Sequence, residues 1–155
     1  MSDSIFAPLV VKELYVLASD FSIAGSPSEN MANKLSIALD DNSDESELAE
    51  GMLSLSQTLS VATHLVREDE PEDERMRAGV TVYIRTECKA SEDSEEYLDK
   101  MREYMRGSSV SIAYGHARTI IASMTAMSPL GSFIIPAIDP VALLQKAKED
   151  ERSGE

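Results

Sequence analysis

The chain has 155 residues, which suffices for one domain with a single hydrophobic core. Its 28 acidic and 14 basic residues give a net charge of −14, which disfavours nucleic acids and anionic membranes as partners. The acidity favours basic partners, although solubility alone is the commoner explanation of such a surface.

The single cysteine, Cys88, excludes an intrachain disulfide and fits a reducing compartment. The N-terminal residues lack the basic segment of a signal peptide. No stretch reaches the roughly 18 apolar residues that a membrane-spanning helix needs. We therefore expect a cytoplasmic protein.

Residues 8–25 are rich in Val, Leu, Ile, Tyr and Phe, which predicts a long β-strand. The apolar alternation slips at residues 15–18, where a bulge or bend would account for it. Residues 26–33 follow Gly25 and contain Pro27 and Asn30, which predicts a connecting loop.

Residues 34–40 alternate cleanly and predict a second strand with one apolar face. That face carries Leu35, Ile37 and Leu39. Residues 41–50 are acidic and predict a turn-rich connection.

Residues 52–66 give the clearest strand pattern in the chain. One parity is apolar and consists of Leu53, Leu55, Leu59, Val61 and Leu65. The other parity is polar, so we expect one wet and one covered face, as in an antiparallel sheet. Residues 67–75 predict a solvated hairpin loop, and residues 76–89 a fourth strand. Its inward residues are Val80, Val82, Ile84 and Cys88.

A helix is predicted from Ser94, a suitable N-cap that is followed by two glutamates, to Gly107 in the C-cap position. Residues 108–127 predict a second helical stretch with an apolar stripe. The stripe consists of Val110, Ala113, Ala117, Ile120, Met124 and Met127.

A line of small residues lies beside this stripe, about 100° around the helix. Its members are Ser111, Gly115, Thr119, Ala122 and Ala126. Gly and Ser are poor helix formers, so their presence suggests that another backbone approaches closely. The helix is either a core helix of a compact monomer or a helix between a sheet and a partner subunit.

Pro129 and Gly131 end this helix, and the apolar residues 133–138 predict an extended segment. Asp139 is a suitable N-cap for a short terminal helix that begins at Pro140. The expected domain spans residues 1–145, followed by a charged tail, 146–155, that frays. The predicted fold class is α+β: a four-stranded antiparallel sheet with a long helix and a short C-terminal helix on one face.

Three motifs in the last third of the chain resemble the C-terminal signature of the SecB family of preprotein chaperones. They are His-Ala-Arg at 116–118, Ile-Ala-Ser-Met at 121–124, and Ile-Pro-Ala-Ile-Asp-Pro-Val-Ala-Leu-Leu at 135–144. The family has an Ala-Arg helix, an Ile-x-Ser-Met continuation and a Leu-Pro-Pro-(Val/Ile)-(Asn/Asp)-Phe-x-x-Leu-(Tyr/Phe) tail. The predicted order of strands and helices also agrees with the family from about residue 8 to residue 145.

The resemblance implies an ATP-independent chaperone, or holdase, that keeps unfolded polypeptides soluble for export and needs no cofactor. Family members assemble as a dimer of dimers with the long helices between two sheets, and bind clients in long hydrophobic grooves. The small-residue line would then form the oligomer interface. The groove would comprise Leu35, Ile37, Leu39, Leu53, Leu55, Phe133, Ile134, Ile135 and Leu144.

The resemblance matches Asp20 to an acidic residue of the surface that docks on the SecA translocase. The chain departs from that pattern, because Ala24 stands at the expected partner position and Thr81 and Tyr83 replace an apolar–acidic pair. Pro140 also replaces the aromatic residue of the tail. These departures weigh against SecA as a partner. Divergent members instead protect an aggregation-prone antitoxin or are encoded on mobile elements.

Catalytic or metal-binding patterns are not evident in the sequence. His64 lies on the polar parity of its strand, and His116 suits packing or an interface better than proton transfer. One cysteine and two histidines form no zinc-ligand spacing, and no glycine-rich phosphate loop occurs. The paired acids, such as Asp40 and Asp41, suit solvated turns. We expect neither an enzyme nor a bound metal.

Three hypotheses follow, ordered by preference. The first is the SecB-like, oligomeric holdase, for which eight methionines provide a deformable apolar surface, although an ordinary core explains them equally. The second is a binding module for one specific protein such as an antitoxin. The third is a small-molecule-binding or enzymatic α+β domain, which an enclosed pocket with converging polar groups would favour.

Overall fold

The computed structural model describes residues 8–25, 30–41, 47–128 and 131–154. Five strands precede two helices in the chain. The strands are β1 (Leu9–Ile23), β2 (Met31–Asp41), β3 (Glu47–Ala49), β4 (Met52–Arg67) and β5 (Glu74–Lys89). The helices are α1 (Glu95–Thr125) and α2 (Pro140–Ser153). The α+β class that the sequence predicts is therefore confirmed.

The strands form one antiparallel sheet in the order β1-β5-β4-β2, which puts β1 and β2 at opposite edges. The short β3 pairs with the beginning of β4, beyond the end of β2. It lies in the segment that the sequence predicted as a turn, because its three residues are too few to show a period. The strand β2 also begins earlier than predicted and includes Asp41.

The slip in the apolar alternation of β1 is a true irregularity of pairing. The register against β5 shifts between Val16 and Ala18, as expected, and also between Val11 and Glu13. The intervening residues, Leu17 and Lys12, have no direct cross-strand partner in the register. Such bulges bend a strand and interrupt its regular hydrogen-bonding edge.

Alternation along β4 separates a buried face from a half-exposed face, as the sequence predicted. The apolar side chains of β4 and β5 form two clusters beneath α1. The first contains Leu59, Val61 and Ile84, and the second contains Leu53, Leu55 and others. Burial of each large aliphatic side chain stabilises the fold by about 1.5–3 kcal/mol, so these clusters hold the helix on the sheet.

A polar layer separates the two clusters. Gln57 is fully buried, and its amide donates to Asp41 Oδ1 at 3.2 Å and to the backbone oxygen of Arg106 at 3.4 Å. Nearby, the hydroxyls of Thr86 and Ser109 lie 2.8 Å apart. These bonds offset the desolvation of the Gln57 Nε2 group and of the two hydroxyls, and they tie α1 to the end of β2.

The helix α1 begins one residue after Ser94, as predicted, but it does not end at Gly107. It continues for 31 residues to Thr125, so the two predicted helical stretches are one helix. An interior glycine costs about 1 kcal/mol relative to alanine. Burial of Met105 and Val110 on either side of Gly107 outweighs that cost.

The inward face of α1 differs in part from the predicted stripe. Val110, Ala113 and Ala117 are buried, whereas Ile120 and Met124 are half-buried and Met127 is 93% exposed. Near the C-terminal end the buried positions are Tyr114, Ile121 and Thr125. The buried line therefore rotates slowly around the helix, and the helix ends before Met127 can reach the sheet.

The terminal helix begins where the sequence placed it. The Asp139 side chain accepts hydrogen bonds from the backbone N–H groups of Val141 and Ala142, and Pro140 is the first helical residue. The helix contacts α1 and β2 and continues to Ser153. Among the described residues, neither helix is both long and apolar enough to cross a membrane.

Candidate functional site

Residues 131–139, here called the connecting segment, are held against α1 by hydrogen bonds although they form no regular structure. Gly131 takes a positive φ of 76°, which a non-glycine residue would adopt with strain. Pro129, the other predicted helix breaker, lies outside the described residues. The bonds are Phe133 N–H to Thr125 Oγ1 (2.7 Å), Ser132 Oγ to Ala122 O (2.9 Å), Arg118 Nε to Ile135 O (3.0 Å), and the Tyr114 hydroxyl to Pro136 O.

The surroundings of Tyr114 keep its hydroxyl protonated, so the hydroxyl can donate a hydrogen bond. Burial raises the pKa of Tyr114, and the positive charge of Arg118 opposes that rise to a smaller extent. The neutral phenol therefore persists at physiological pH and donates to the Pro136 carbonyl. The Ala-Arg motif of the sequence thus has a structural role, because Arg118 fixes the backbone of the connecting segment.

The fixed backbone directs two adjacent isoleucines to opposite sides of the connecting segment. Ile135 is fully buried in the first core cluster, whereas Ile134 is 68% exposed. Successive side chains of an extended chain point to opposite faces. The anchoring hydrogen bonds therefore hold this large aliphatic side chain in an exposed position.

Strand β2 carries a second group of apolar side chains that keep exposed area. Leu35 is 37% exposed, and Ile37 and Leu39 are half-buried against the first core cluster. Phe133 and Leu143 pack against the same cluster. We use the name apolar surface for the six sequence-predicted residues that keep exposed area: Leu35, Ile37, Leu39, Phe133, Ile134 and Leu144.

Three residues of the predicted groove are not available to a partner in this structure. Leu53 and Leu55 are buried in the second cluster, where they pack with Leu98 and Met105 of α1. Ile135 is buried in the first cluster. The sequence showed correctly that these side chains share an apolar face, but it did not show that α1 covers them.

The small-residue line of α1 faces away from the sheet. Ser111, Gly115, Thr119 and Ala126 are exposed and Ala122 is half-buried. Two shallow clefts, of about 460 Å³ and 510 Å³, lie along this outer face. Both are open to solvent, so neither has the enclosed form that would favour the small-molecule hypothesis.

Apolar side chains of β1 form a further exposed area that the sequence analysis did not identify. Val16, Phe21 and Ile23 point to the same side of the sheet as the core, yet each is more than a third exposed. The cause is that α1 lies mainly over β4 and β5. The sequence feature that could have identified this area is that apolar residues occur on both parities of β1.

On the opposite face of the sheet, Asp20 is paired with a cation. Its carboxylate lies 2.5 Å from Arg77 Nε, and a Cβ at Gly79 would approach Asp20 Oδ1 to 2.6 Å. Tyr83 points outward, as predicted, and its ring centroid lies 5.0 Å from that of Tyr15. Docking of a translocase at Asp20 stays a prediction.

The described residues contain no group of three or more His, Cys, Asp or Glu side chains that could hold a metal ion. His64 lies on the outer sheet face, with Nδ1 3.1 Å from Glu74 Oε2, and His116 is half-buried on α1. Cys88 is buried in the second cluster, and this burial raises the pKa of its thiol. The thiol therefore stays protonated and a weak nucleophile at neutral pH.

Comparison of this fold with solved structures identifies a SecB-like architecture. Neither a protein-family model nor a curated protein sequence matches the chain. The SecB-like chaperone Rv1957 of Mycobacterium tuberculosis has a similar structure, with a TM-score of 0.58 and 12% sequence identity. The match covers 84% of this chain and 90% of that chain. Rv1957 was solved in complex with a ChAD peptide from the HigA1 antitoxin Rv1956.

A protein of unknown function from Streptococcus agalactiae also matches, with a TM-score of 0.35 and 9% identity. The match covers 83% of this chain and 97% of the Streptococcus agalactiae chain. The similarity to Rv1957 shows a SecB-like fold for the described part of the chain.

Proposed function

We propose that this protein is an ATP-independent holdase that binds non-native polypeptides through its apolar surface and keeps them soluble. The binding would be hydrophobic, weakly sequence-specific and favoured for basic clients, because the chain carries a net charge of −14. We place this activity in the cytoplasm, where the buried thiol of Cys88 would stay reduced. The proposal includes no catalytic step, metal or nucleotide.

The observation that carries the proposal is that large apolar side chains keep exposed area at two places, Ile134 on the anchored connecting segment and Leu35 on the edge strand β2. Large apolar side chains that are held in an exposed position commonly mark an interaction site. The SecB-like fold and the peptide-bound state of Rv1957 support a polypeptide as the occupant. Together they favour a protein client over a small molecule.

We further propose that the protein is an oligomer, with a dimer of dimers as the expected form. The outer face of α1 is rich in small residues such as Gly115, which would allow close approach of a second backbone. The uncovered apolar side chains of β1 add area that association would bury. The interface residues would be Ser111, Gly115, Thr119, Ala122 and Ala126.

The test is light-scattering mass and aggregation of reduced lysozyme with its thiols blocked by neutral carboxamidomethyl groups. This probe is basic and cannot refold. We expect a mass near four times 16.9 kDa for the protein alone, a heavier complex with the probe, and suppression of probe aggregation. A monomer that leaves probe aggregation unchanged would overturn the holdase proposal.

A second candidate function is the protection of one specific protein, such as an antitoxin. The antitoxin peptide bound to the similar Rv1957 is the observation that favours it. A specific module would saturate at a fixed ratio with its partner and ignore unfolded lysozyme. A holdase would bind several unrelated unfolded chains.

Docking on SecA is not part of this proposal, since Ala24 and Tyr83 depart from the family pattern and Arg77 already pairs with Asp20.

A further inference from the structure

The two edges of the sheet differ in their ability to accept another strand. At one edge, β1 pairs with β5 through two register shifts, at Lys12 and at Leu17. At the other edge, β2 pairs with β4 over eleven consecutive residues, Met31–Asp41, without a shift. Bulges interrupt the even spacing of edge hydrogen-bonding groups, whereas an unshifted ladder preserves it.

The middle of β2 has none of the features that protect an edge from strand addition. From Leu35 to Leu39 the sequence contains no charge, proline or glycine. Among the described residues, β4 is the only strand that pairs with β2. In an antiparallel edge strand, alternate residues direct their N–H and C=O groups away from the sheet. These groups offer a template for one more strand.

The side chains beside this edge also suit an extended chain of alternating character. Leu35, Ile37 and Leu39 lie on the inner parity, opposite the buried Thr63, Val61 and Leu59 of β4. Ser36 and Ala38 lie on the outer parity and line a shallow hollow of about 180 Å³. An added strand could therefore pack apolar side chains against the inner parity and polar ones along the outer parity.

Charges near the two ends of β2 define the chemistry of the occupant. The β4–β5 hairpin is acidic, and Glu68 N–H bonds to the backbone oxygen of Asn30, next to the first residue of β2. At the other end of β2 lies Asp40, which is exposed, and Glu47 of β3 lies beyond it. Lys34 is the sole basic residue of β2. A segment with basic residues at its ends would complement both sites.

We propose that β2 binds its client by strand addition: an extended, apolar segment of non-native polypeptide with flanking basic residues pairs with the outer edge of β2 along Leu35–Leu39. This inference rests on the proposed function and specifies how the client is held. Backbone pairing gives affinity that is independent of sequence, and the inner-parity leucines and isoleucine give the preference for apolar residues.

The test uses a capped peptide with the sequence Lys-Val-Thr-Val-Arg-Val-Thr-Val-Lys and amide hydrogen exchange of the whole protein. We expect the peptide to protect alternate amides of β2, because only the edge-facing N–H groups gain a partner. Amides of β1 should not change. Contacts made by side chains alone would give no alternating pattern along β2.

Two N-methylated versions of the peptide provide the matched control. One carries methyl groups on every valine nitrogen, and the other on every threonine and arginine nitrogen. In a strand these two sets of N–H groups point to opposite sides, so we expect one version to bind about tenfold or more weakly and the other to bind as the parent does.

Equal binding by both methylated peptides, protection of β1 in place of β2, or absence of peptide binding would each overturn strand addition. So would edge amides of β2 that are protected before the peptide is added, since a second copy would then cover the edge. If one of these results is obtained, binding of carboxamidomethylated lysozyme separates the two proposals. Lysozyme binding would then leave the holdase proposal standing without strand addition, and absence of lysozyme binding would overturn both.

Discussion

Two groups of residues that the sequence placed in one groove have opposite surroundings in the structure. Leu53, Leu55 and Ile135 are buried in the core, whereas Leu35 and Ile134 retain substantial exposed area. Both groups consist of large aliphatic side chains, and Leu35 alternates with polar residues in its strand as Leu53 and Leu55 do in theirs. The difference arises from the position of α1, which lies over β4 and β5, whereas the helix that contacts the edge strand β2 is the short α2. Alternation thus identifies an apolar face but not the element that covers it.

The buried group should dominate stability. Replacing Ile135 by alanine, or Leu53 by alanine, should lower the free energy of unfolding by about 2–5 kcal/mol, because each change leaves a cavity in a packed cluster. Denaturant unfolding measures this loss. A loss below about 1 kcal/mol for both variants would mean that these side chains are more accessible than the structure shows.

Two glycines of α1 distinguish a solvent face from an interface. A Cβ at Gly107 or Gly115 would meet no atom within 4 Å in the single chain. In a monomer, alanine at either position should therefore raise stability by up to about 1 kcal/mol. If the outer face of α1 lies against a second helix, Gly115→Ala should weaken the oligomer, and Gly107→Ala should do so too because Gly107 lines the same cleft as Ser111. Light scattering at decreasing concentration compares both variants with the wild type, and an unchanged mass of both would argue against an interface on this face.

The anchoring of the connecting segment makes a prediction on pH. Tyr114→Phe removes the hydrogen bond to Pro136 and should lower stability by about 1 kcal/mol at neutral pH. Because burial raises the pKa of Tyr114 in the folded state, the stabilisation is fully present below the ordinary tyrosine pKa, near 10. It should be lost as the pH rises through the folded-state pKa.

Thermal unfolding of the wild type and Tyr114→Phe across alkaline pH should therefore show a stability difference that shrinks above about pH 10. A difference that grows with pH would contradict the proposed role of Tyr114.

The exposed group should affect stability least. Ile134→Asp should change the free energy of unfolding by only about 0.5 kcal/mol, because the side chain is largely in solvent. Leu17→Asp on β1, at a residue that is 53% exposed, is the matched control. A loss of several kcal/mol for Ile134→Asp would show that Ile134 belongs to the core.

The strands and the beginnings of both helices followed from local patterns. Alternation predicted β4, the slip at residues 15–18 predicted a bulge of β1, and Asp139 predicted the cap of α2. The continuity of α1 through Gly107 did not follow, because tertiary packing outweighed a local helix-ending signal. The strand β3 was too short for any period to show.

The site was predictable only in part, for the same reason. Whether Ile134 or Ile135 faces solvent depends on hydrogen bonds from Arg118 and Tyr114, which lie about 20 residues earlier in the chain. No local pattern contains that information. Likewise, the exposure of Val16 and Phe21 depends on where α1 crosses the sheet.

The most direct test of the central claim is the Kd of Ile134→Asp for carboxamidomethylated lysozyme, measured beside the wild type and Leu17→Asp. We expect Ile134→Asp to weaken binding at least about tenfold, because an apolar contact is replaced by a hydrated charge. Leu17→Asp should bind as the wild type does. Unchanged affinity of Ile134→Asp, in a variant that folds normally, would contradict the assignment of client binding to the apolar surface.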